Sequence, residues 1–344
     1  MNSHKKRKDR FLLIHTIGAH MKFRFIATCM AACMLTVGSA NAASVTLKLG
    51  HIAEPSNPYG MGADHFAELV KNYSKGDIEV QVFPSSQLGN QRDLVEGLTL
   101  GTVEMTLTGT AVLGNFVPEV SVFDLPFLFR DVQHAYKALD TIGMDLCKKY
   151  AEPKGMITLA IWENGVRHMT NNKRPIRTPK DMEGLKVRVM EQPVYIELMK
   201  SLKASPTPMA MSELYTALQK GVIDGQENPL SQIATKHFYE VQKYVSLTGH
   251  TYAPEVVLIS KFAWDGLNDE QKAIIEKAAV ETKDWQRQLC RDLEAKFAKT
   301  IVDGGAQINE DVDKQAFIEA TKGVWDLYTK KYGDETIKAI LAVK

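Results

Sequence analysis

Apolar and polar residues alternate along VTLKLG from Val45 and again along DIEVQVFP, where Ile78, Val80 and Val82 fall on one face, so both segments are predicted strands. Between them, Pro58 to Tyr73 places Phe66, Leu69 and Val70 at helical spacing, and Gly76 stops the helix. A second helix is predicted from Asn90 to Leu100, closed by Gly101, and VEMTLTG supplies a third strand. The rhythm restarts after Ile157. ITLAIW and VRHMT read as two strands, Thr178-Pro179-Lys180-Asp181 as a helix start with proline at its first position, and LKVRVM as another strand broken off from it by Gly184. Helix Pro193 to Lys203, a strand from Ala204 to Met209, helix Ser212 to Lys220 and a short strand Val222-Ile223 complete a second α/β unit. TYAPEVVLIS is strongly strand-like.

From Asn268 to about Asp303 there is neither proline nor glycine, and Ile274, Ala278, Trp285, Leu289, Phe297 and Ile301 keep helical spacing. A single helix of that length extends about 50 Å, more than one small domain needs. The predicted architecture is therefore α/β and two-lobed, with a central sheet in each lobe and this helix spanning both. The natural site is the cleft between the lobes, outside the carboxyl ends of their strands. No Gly- or Ser-rich linker separates the units.

Composition changes this picture mainly at the amino terminus. The chain has 344 residues, 44% hydrophobic and 24% charged, the profile of a soluble globular protein with room for two cores. MKFRFIATCMAACMLTVGSANA carries two positive charges, an apolar run from Phe25 to Val37 and an Ala-x-Ala site at Ala40 to Ala42, the pattern of a secretory signal cleaved after Ala42. Met21 is the natural start of that signal; acylation at Cys33 is the alternative. Without residues 1–42 the chain keeps 35 basic and 40 acidic side chains, so its formal charge moves from +1 to −5. A mildly acidic exported protein is not a nucleic-acid binder on electrostatic grounds. Cys147 and Cys290 then remain, and each falls on a predicted helix, which favours two buried thiols over one disulfide.

No nucleophile elbow, zinc-protease motif, paired-cysteine motif or phosphate-loop motif is present, and the nine histidines lack metal-ligand spacing. Gly60-Met61-Gly62 is too short a pattern for a phosphate loop, and His51, His65, His134, His237 and His250 read as isolated packed or surface residues. No cofactor is called for. The positive signal is arginine placement: Arg188 stands near the carboxyl end of LKVRV, where a guanidinium can meet an anion in a geometry lysine does not reproduce. Arg167 follows a glycine on a neighbouring predicted strand. In SPTPMAMSELYTALQKGVIDGQENP, Ser212 caps a helix, Gly221 ends it, and Asp224-Gly225 is expected to turn the chain, bringing Gln226, Glu227 and Asn228 out at the rim of the crevice.

FPSSQLG, NGVRHMTNN, DMEGLKVRV, the SPTPMA…GQENP segment and HFYEVQKYVSLTGH, in that order, resemble the periplasmic solute-binding subunits of TRAP transporters, the tripartite ATP-independent importers. The resemblance covers essentially all of the mature chain. It implies a two-lobed protein that closes on a small organic anion and delivers it to an ion-gradient-driven membrane permease. It also implies a carboxylate clamp at Arg188, supported by Arg167 and Asn228, and a packing position at Met211. Sialic-acid binders of that family carry Asn at the position of Glu191 and charged groups where this chain has Gly109 to Val112, which speaks against that ligand. Glu191, Glu54, Gln91, Thr108 and Gly109 are the remaining candidate contacts; the two glutamates suit a zwitterion or a hydroxylated or sugar acid, and a dicarboxylate is the other expected ligand. Trp162 reads as core. The expected lobes are 43–164 with 253–293, and 165–252 with 294–344, in a monomer. The competing readings are a sensing subunit for a membrane receptor, and a periplasmic enzyme with Glu191 or Glu227 as base.

Overall fold

Two long antiparallel strands, β4 (Met156–Asn171) and β8 (Tyr244–Ser260), carry all the other strands of the sheet. The structure, a computed structural model, describes residues 43–344, so the expected signal segment lies outside the described residues. In chain order the elements that matter here are β1 (Val45–Gly50), α1 (Pro58–Tyr73), β2 (Ile78–Phe83), α2 (Gln91–Leu100), β3 (Met105–Gly109), β4, β5 (Lys186–Val189), α3 (Pro193–Ser201), β6 (Ser205–Pro208), α4 (Met211–Gln219), β7 (Gly225–Pro229), β8, α5 (Asp269–Asp303) and β9 (Gln307–Asn309). The strand order is β2-β1-β3-β8-β4-β7-β5-β6, with β9 paired to β8.

One end of the β4–β8 ribbon, from Met156 opposite Ser260, holds β3, β1 and β2; the other, from Asn171 opposite Tyr244, holds β7, β5, β6 and β9. The two sheets expected from the sequence are thus one sheet made continuous by this ribbon. ITLAIW and VRHMT, read as separate strands, belong to β4 alone. In the fold Gly165 takes φ 131° at a register shift between Glu163 and Gly165, a conformation open to glycine, so the strand bends there without ending.

Local signals account for most of the helices. Asn90 caps α2 through a reciprocal box with Asp93, Asn268 caps α5 the same way with Gln271, and Gly101 closes α2 at φ 71°. The Thr178–Asp181 box is also present, but it opens a single 3₁₀ turn, Pro179–Met182, because Gly184 follows at φ 77°.

Helix α5 runs along the ribbon and packs against α1, β4, the helix Leu230–Thr235 and β9. Its ends bury apolar residues such as Ile275, Phe297 and Ile301, whereas its middle buries Thr282, Gln286 and Arg287, and Trp285 is partly exposed against His65. The apolar spacing does not foresee this polar face, because its partners are backbone groups of β4. Gln286 accepts from the Glu163 amide at 3.0 Å and donates to the Glu163 carbonyl at 2.7 Å, while Arg287 donates to the Ile161 carbonyl at 2.7 Å. Glycine at 62 allows the approach of α1, since a Cβ there would lie 3.0 Å from both Gln286 and Trp162. Trp162 is fully buried, as expected, and Cys147 and Cys290 are free buried thiols.

Replacing Gln286 by Leu keeps the volume but leaves both backbone groups of Glu163 unpaired at the bend. At about 1–3 kcal/mol per buried unpaired group, unfolding in urea should show a loss of about 2–6 kcal/mol; an unchanged midpoint would mean that this side chain does not hold the ribbon to α5.

Candidate functional site

Arg188 stands on β5, whose neighbour β6 runs parallel from Ser205 to Pro208. Its side chain is almost wholly buried. Nε and Nη2 donate to the carbonyl of Met209, at 3.0 and 2.8 Å, which fixes the guanidinium plane. Nη1 is buried with no partner. Burial lowers the Arg188 pKa to about 10, with Glu227 acting against the shift and Arg167 with it, so the group remains charged at neutral pH. Arg188 lines a cavity of about 230 Å³ together with Gln91, Arg92, Glu191, Met211 and Glu213. A guanidinium on a cavity wall with a buried, unpaired N–H has the chemistry to hold an anion.

Behind it lies a fully buried charge network. Arg167, on β4, places Nε on Glu227 Oε2, Nη2 on Glu227 Oε1 at 2.8 Å, and Nη2 on the Glu227 carbonyl at 2.6 Å; the same Nη2 reaches Asn228 Oδ1 at 3.2 Å. Its guanidinium also sits 5.6 Å from the centre of the Tyr195 ring. His250 on β8 completes the network: Nε2 is 3.2 Å from Glu227 Oε2 and Nδ1 is 2.8 Å from the Thr248 hydroxyl. Burial would raise the Glu227 pKa, but the charge of Arg167 and the bonds from His250 and Arg167 outweigh it and bring the pKa to about 2. Burial in turn lowers that of His250, so a neutral imidazole donates through Nε2 to the carboxylate.

Two further acids face the interior. Glu255 on β8 is fully buried, accepts from Gln91 Nε2 at 3.4 Å through Oε1, and has an unpartnered Oε2; burial pushes its pKa up to about 8. Asp124 is pushed up to about 7 by burial, against a 2.8 Å bond from Thr110 and a longer one from Tyr195.

The sequence candidates separate accordingly. Arg188, Glu191, Met211 and Gln91 share the cavity, although Glu191 is largely exposed and 3.7 Å from Arg92. Arg167 and Asn228 lie buried beside each other rather than on its wall. Glu54 is held by Lys236 at 2.9 Å and Ser85 at 2.6 Å. Gly109 pairs with Glu255, while Thr108 pairs with Val256, so strand alternation sends the Thr108 side chain to the other face of the sheet. The expected rim turn is also corrected. Gly225–Pro229 is strand β7 itself, wholly buried, and Val222-Ile223 is not a strand. Its polar side chains are accommodated because each finds an interior partner: Gln226 on Thr170, Asn228 on Gln226, Glu227 on Arg167.

Glu227, His250, Tyr195 and Glu255 are the site residues whose place the sequence reading missed. For Glu255 a signal existed, since a lone acid interrupts the apolar strand TYAPEVVLIS. For His250 no local pattern distinguishes it from the other histidines.

A mixed α/β sheet with a charged, ligand-sized interior cavity defines a binding protein of the periplasmic type. Residues 49–331 match the bacterial extracellular solute-binding protein family 7, and the chain belongs to that family, the solute-binding subunits of TRAP transporters. It is 34% identical over 325 residues to the 2,3-diketo-L-gulonate-binding periplasmic protein of Escherichia coli strain K12, covering 93% of this chain and 99% of the relative. A TRAP periplasmic solute-binding protein from a Polaromonas species, bound to D-erythronate, is 44% identical with a TM-score of 0.85, over 87% of this chain and 99% of that one. Another from Sulfurospirillum deleyianum, with bound succinate, is 34% identical with a TM-score of 0.84, over 88% and 100%. Among the described residues no helix is long and apolar enough to cross a membrane.

The buried groups set the pH profile of stability. His51 (lowered to about 4), His168 (to about 3) and His250 are neutral when folded, chiefly through burial, so the stability they confer is complete above the ordinary 6.5 and lost as pH falls below it. Glu255 and Asp124 have the opposite sign: they are protonated when folded, and their contribution is lost as pH rises through about 7 to 8. Glu227 matters only below its ordinary 4.5. Below 6.5 the histidines favour rising pH and the raised carboxyls, Glu163 among them, oppose it; above 6.5 only the carboxyls count. Thermal melts of the ligand-free protein should show a Tm that falls as pH rises from about 6.5 to 8, and a Tm that climbs steadily to pH 9 would contradict the neutral state of Glu255.

Proposed function

We propose that Arg188 captures the carboxylate of a small organic anion in this cavity, and that the loaded protein delivers it to the membrane permease of a TRAP importer. The observation that carries the reading is Arg188 on the cavity wall with its buried Nη1 unpartnered. With Nε and one N–H of Nη2 fixed on Met209, the end formed by Nη1 and the second Nη2 hydrogen is left for two carboxylate oxygens. Arg167 and Asn228 support the clamp from behind; Met211 and Glu191 complete the wall. The protein from Polaromonas holds D-erythronate, that from Sulfurospirillum deleyianum holds succinate, and the Escherichia coli relative is named for 2,3-diketo-L-gulonate. All three are compact carboxylates, and a ligand of that class suits this cavity.

Capture rather than catalysis is the reading that fits Glu227, whose carboxylate is committed to Arg167 and His250 and is too weak a base near neutrality to take a proton. Among the described residues no cluster of metal-ligating side chains is present. The lobes we assign are 43–164 with 253–293 and 165–252 with 294–344. The bend at Gly165 and the proline at 254, cross-strand partner of Glu163, support that division. The monomeric state and a cleaved amino-terminal signal belong to the same proposal.

Calorimetry with D-erythronate and succinate tests the clamp. Arg188→Lys should weaken binding of whichever acid the protein takes by about tenfold to a hundredfold, the loss of one to two charge-assisted bonds. Unchanged affinity would remove Arg188 from the site.

A further inference from the structure

A second cavity, of about 210 Å³ against about 230 Å³ for the first, lies where the β4–β8 ribbon loses register at Arg167/Met169. Val166 and His168 of β4, Gly249 and Tyr252 of β8, and the segment 127–132 form its walls. It shares no lining residue with the Arg188 cavity. Its frame is held in an unusual backbone. Gly249 takes φ 56°, and so does Phe127, in the left-handed region that a bulky residue rarely enters. The Phe127 N–H is fixed on the His250 carbonyl at 2.9 Å, and Phe129 stands edge-on to Tyr252 with ring centres 5.7 Å apart. Backbone of this kind persists where its surroundings over-determine it, commonly beside ligand sites.

Two nitrogen donors converge at Gly249. His168 lines the cavity, is more than nine-tenths buried, and accepts at Nδ1 from the Gly249 N–H at 3.1 Å. Burial, with the charges of His250, Lys314 and Arg167, lowers its pKa to about 3, so the ring is neutral at pH 7. A neutral imidazole that accepts at Nδ1 carries its proton on Nε2. That N–H has no acceptor among the described residues. Lys314, the first residue of helix Lys314–Thr321, reaches the same spot, since a Cβ on Gly249 would lie 3.7 Å from its Nζ. It lines the cavity with an ammonium that pairs with no acid among the described residues.

The other charges on the wall are engaged. Arg130 donates to the carbonyls of Leu341 and Val343, and Asp131 accepts from the His134 N–H at 2.8 Å. The hydroxyls of Thr251 and Tyr252 are sealed from solvent and offer a ligand nothing. What remains is apolar: Phe127, Leu128, Phe129, Val132 and Val166. A hydroxylated acid would leave its hydroxyls facing these side chains unpaired, at a cost for each. One uncompensated positive charge and one free N–H beside an apolar wall instead complement an acid group on an apolar body.

We infer that this cavity is a second ligand site, taking a small carboxylate with an apolar or aromatic body, whose acid group receives the Nε2–H of His168 and the ammonium of Lys314. The assignment rests on no part of the Arg188 clamp. A ligand there would touch the residues that follow Arg167 and precede His250 in the chain, the two strands that carry the buried network.

Benzoate is the probe, with benzyl alcohol as the same body without the charge and acetate as the charge without the body. Each is titrated by calorimetry, and by the ¹⁵N resonances of the His168 ring, into wild type and into Arg188→Lys, in which the first cavity is impaired. Benzoate should saturate both proteins, shift the His168 Nε2 resonance, and bind on the order of tenfold tighter than either comparator. In the Arg188→Lys background, Lys314→Met should lose on the order of tenfold in benzoate affinity, one charge-assisted bond. Lys314 is exposed, so that variant leaves the core untouched. Val132→Trp, which fills the cavity from a half-buried position, should abolish binding. Four results would overturn the site: no saturable binding of benzoate, benzyl alcohol binding as tightly, affinity unchanged by both Lys314→Met and Val132→Trp, or binding that Arg188→Lys alone removes. None of them bears against the Arg188 clamp.

Discussion

The interaction on which the interior depends is the buried ion pair of Arg167 and Glu227. Both side chains are removed from water, which is costly for each charge alone, and the pair is tolerated because the fork of Arg167 meets the carboxylate bidentately and His250 donates to the oxygen they share. The three residues come from β4, β7 and β8, so the network ties together the strands at the far end of the ribbon. It also settles the charge inventory. With Arg167 neutralised by Glu227, the guanidinium of Arg188 is a buried cation on the cavity wall with an unpaired N–H, and it is held in plane by the Met209 carbonyl rather than by an acid. A carboxylate in place of that carbonyl would have cancelled the charge that an anionic ligand needs.

This arrangement explains why a strand can be written GQENP. Strand propensity would place such residues in a turn, and the reading of Asp224-Gly225 as a rim turn follows that logic. The strand exists because β4 and β5 flank it and every polar side chain meets a partner far away in sequence, Thr170 or Arg167. Such partners are invisible to a local pattern. Capped helices and half-buried strands are the opposite case. Asn90 with Asp93, Asn268 with Gln271, and the alternation of Ile78, Val80 and Val82 are short-range features, and the elements they predict are present with nearly the expected bounds. The candidate site divides along the same line. Arg188 was legible because it sits at a strand end next to a predicted crevice. Glu227 and His250 acquire their roles only when two distant strands come within hydrogen-bond distance. Thr108 and Gly109, adjacent in sequence, part company because a strand sends alternate residues to opposite faces.

The ribbon of β4 and β8 raises a mechanical question, since strands continuous through both halves of a sheet would be stiff if regular. They are not regular where the halves meet. Register shifts fall at Glu163/Gly165 and Arg167/Met169, Gly165 has a positive φ, and Pro254 stands opposite Glu163. Proline removes a ladder donor and the bulges remove others, so bending there breaks few hydrogen bonds. The lost backbone partners are supplied by side chains of α5: Gln286 takes up both backbone groups of Glu163, and Arg287 the carbonyl of Ile161. Side-chain partners can follow a small rotation in a way that a rigid ladder cannot.

The polar middle of α5 is then a consequence of the irregular pairing in the ribbon it covers. A ribbon that loses register at Glu163/Gly165 leaves backbone groups without ladder partners there, and those groups need donors and acceptors from a neighbouring element. A helix thirty-five residues long, apolar at both ends and polar at the centre, meets that need. Glu163 lies at the meeting point, its backbone on Gln286 and its carboxylate between Tyr136 and Arg291. Burial raises its pKa while Arg291 and Tyr136 oppose the shift, so this second buried acid is held by the helix much as Glu227 is held by Arg167. Two buried acids of the sheet, Glu163 and Glu227, are thereby engaged by arginines of neighbouring elements, while Arg188 on the cavity wall is engaged by a carbonyl alone.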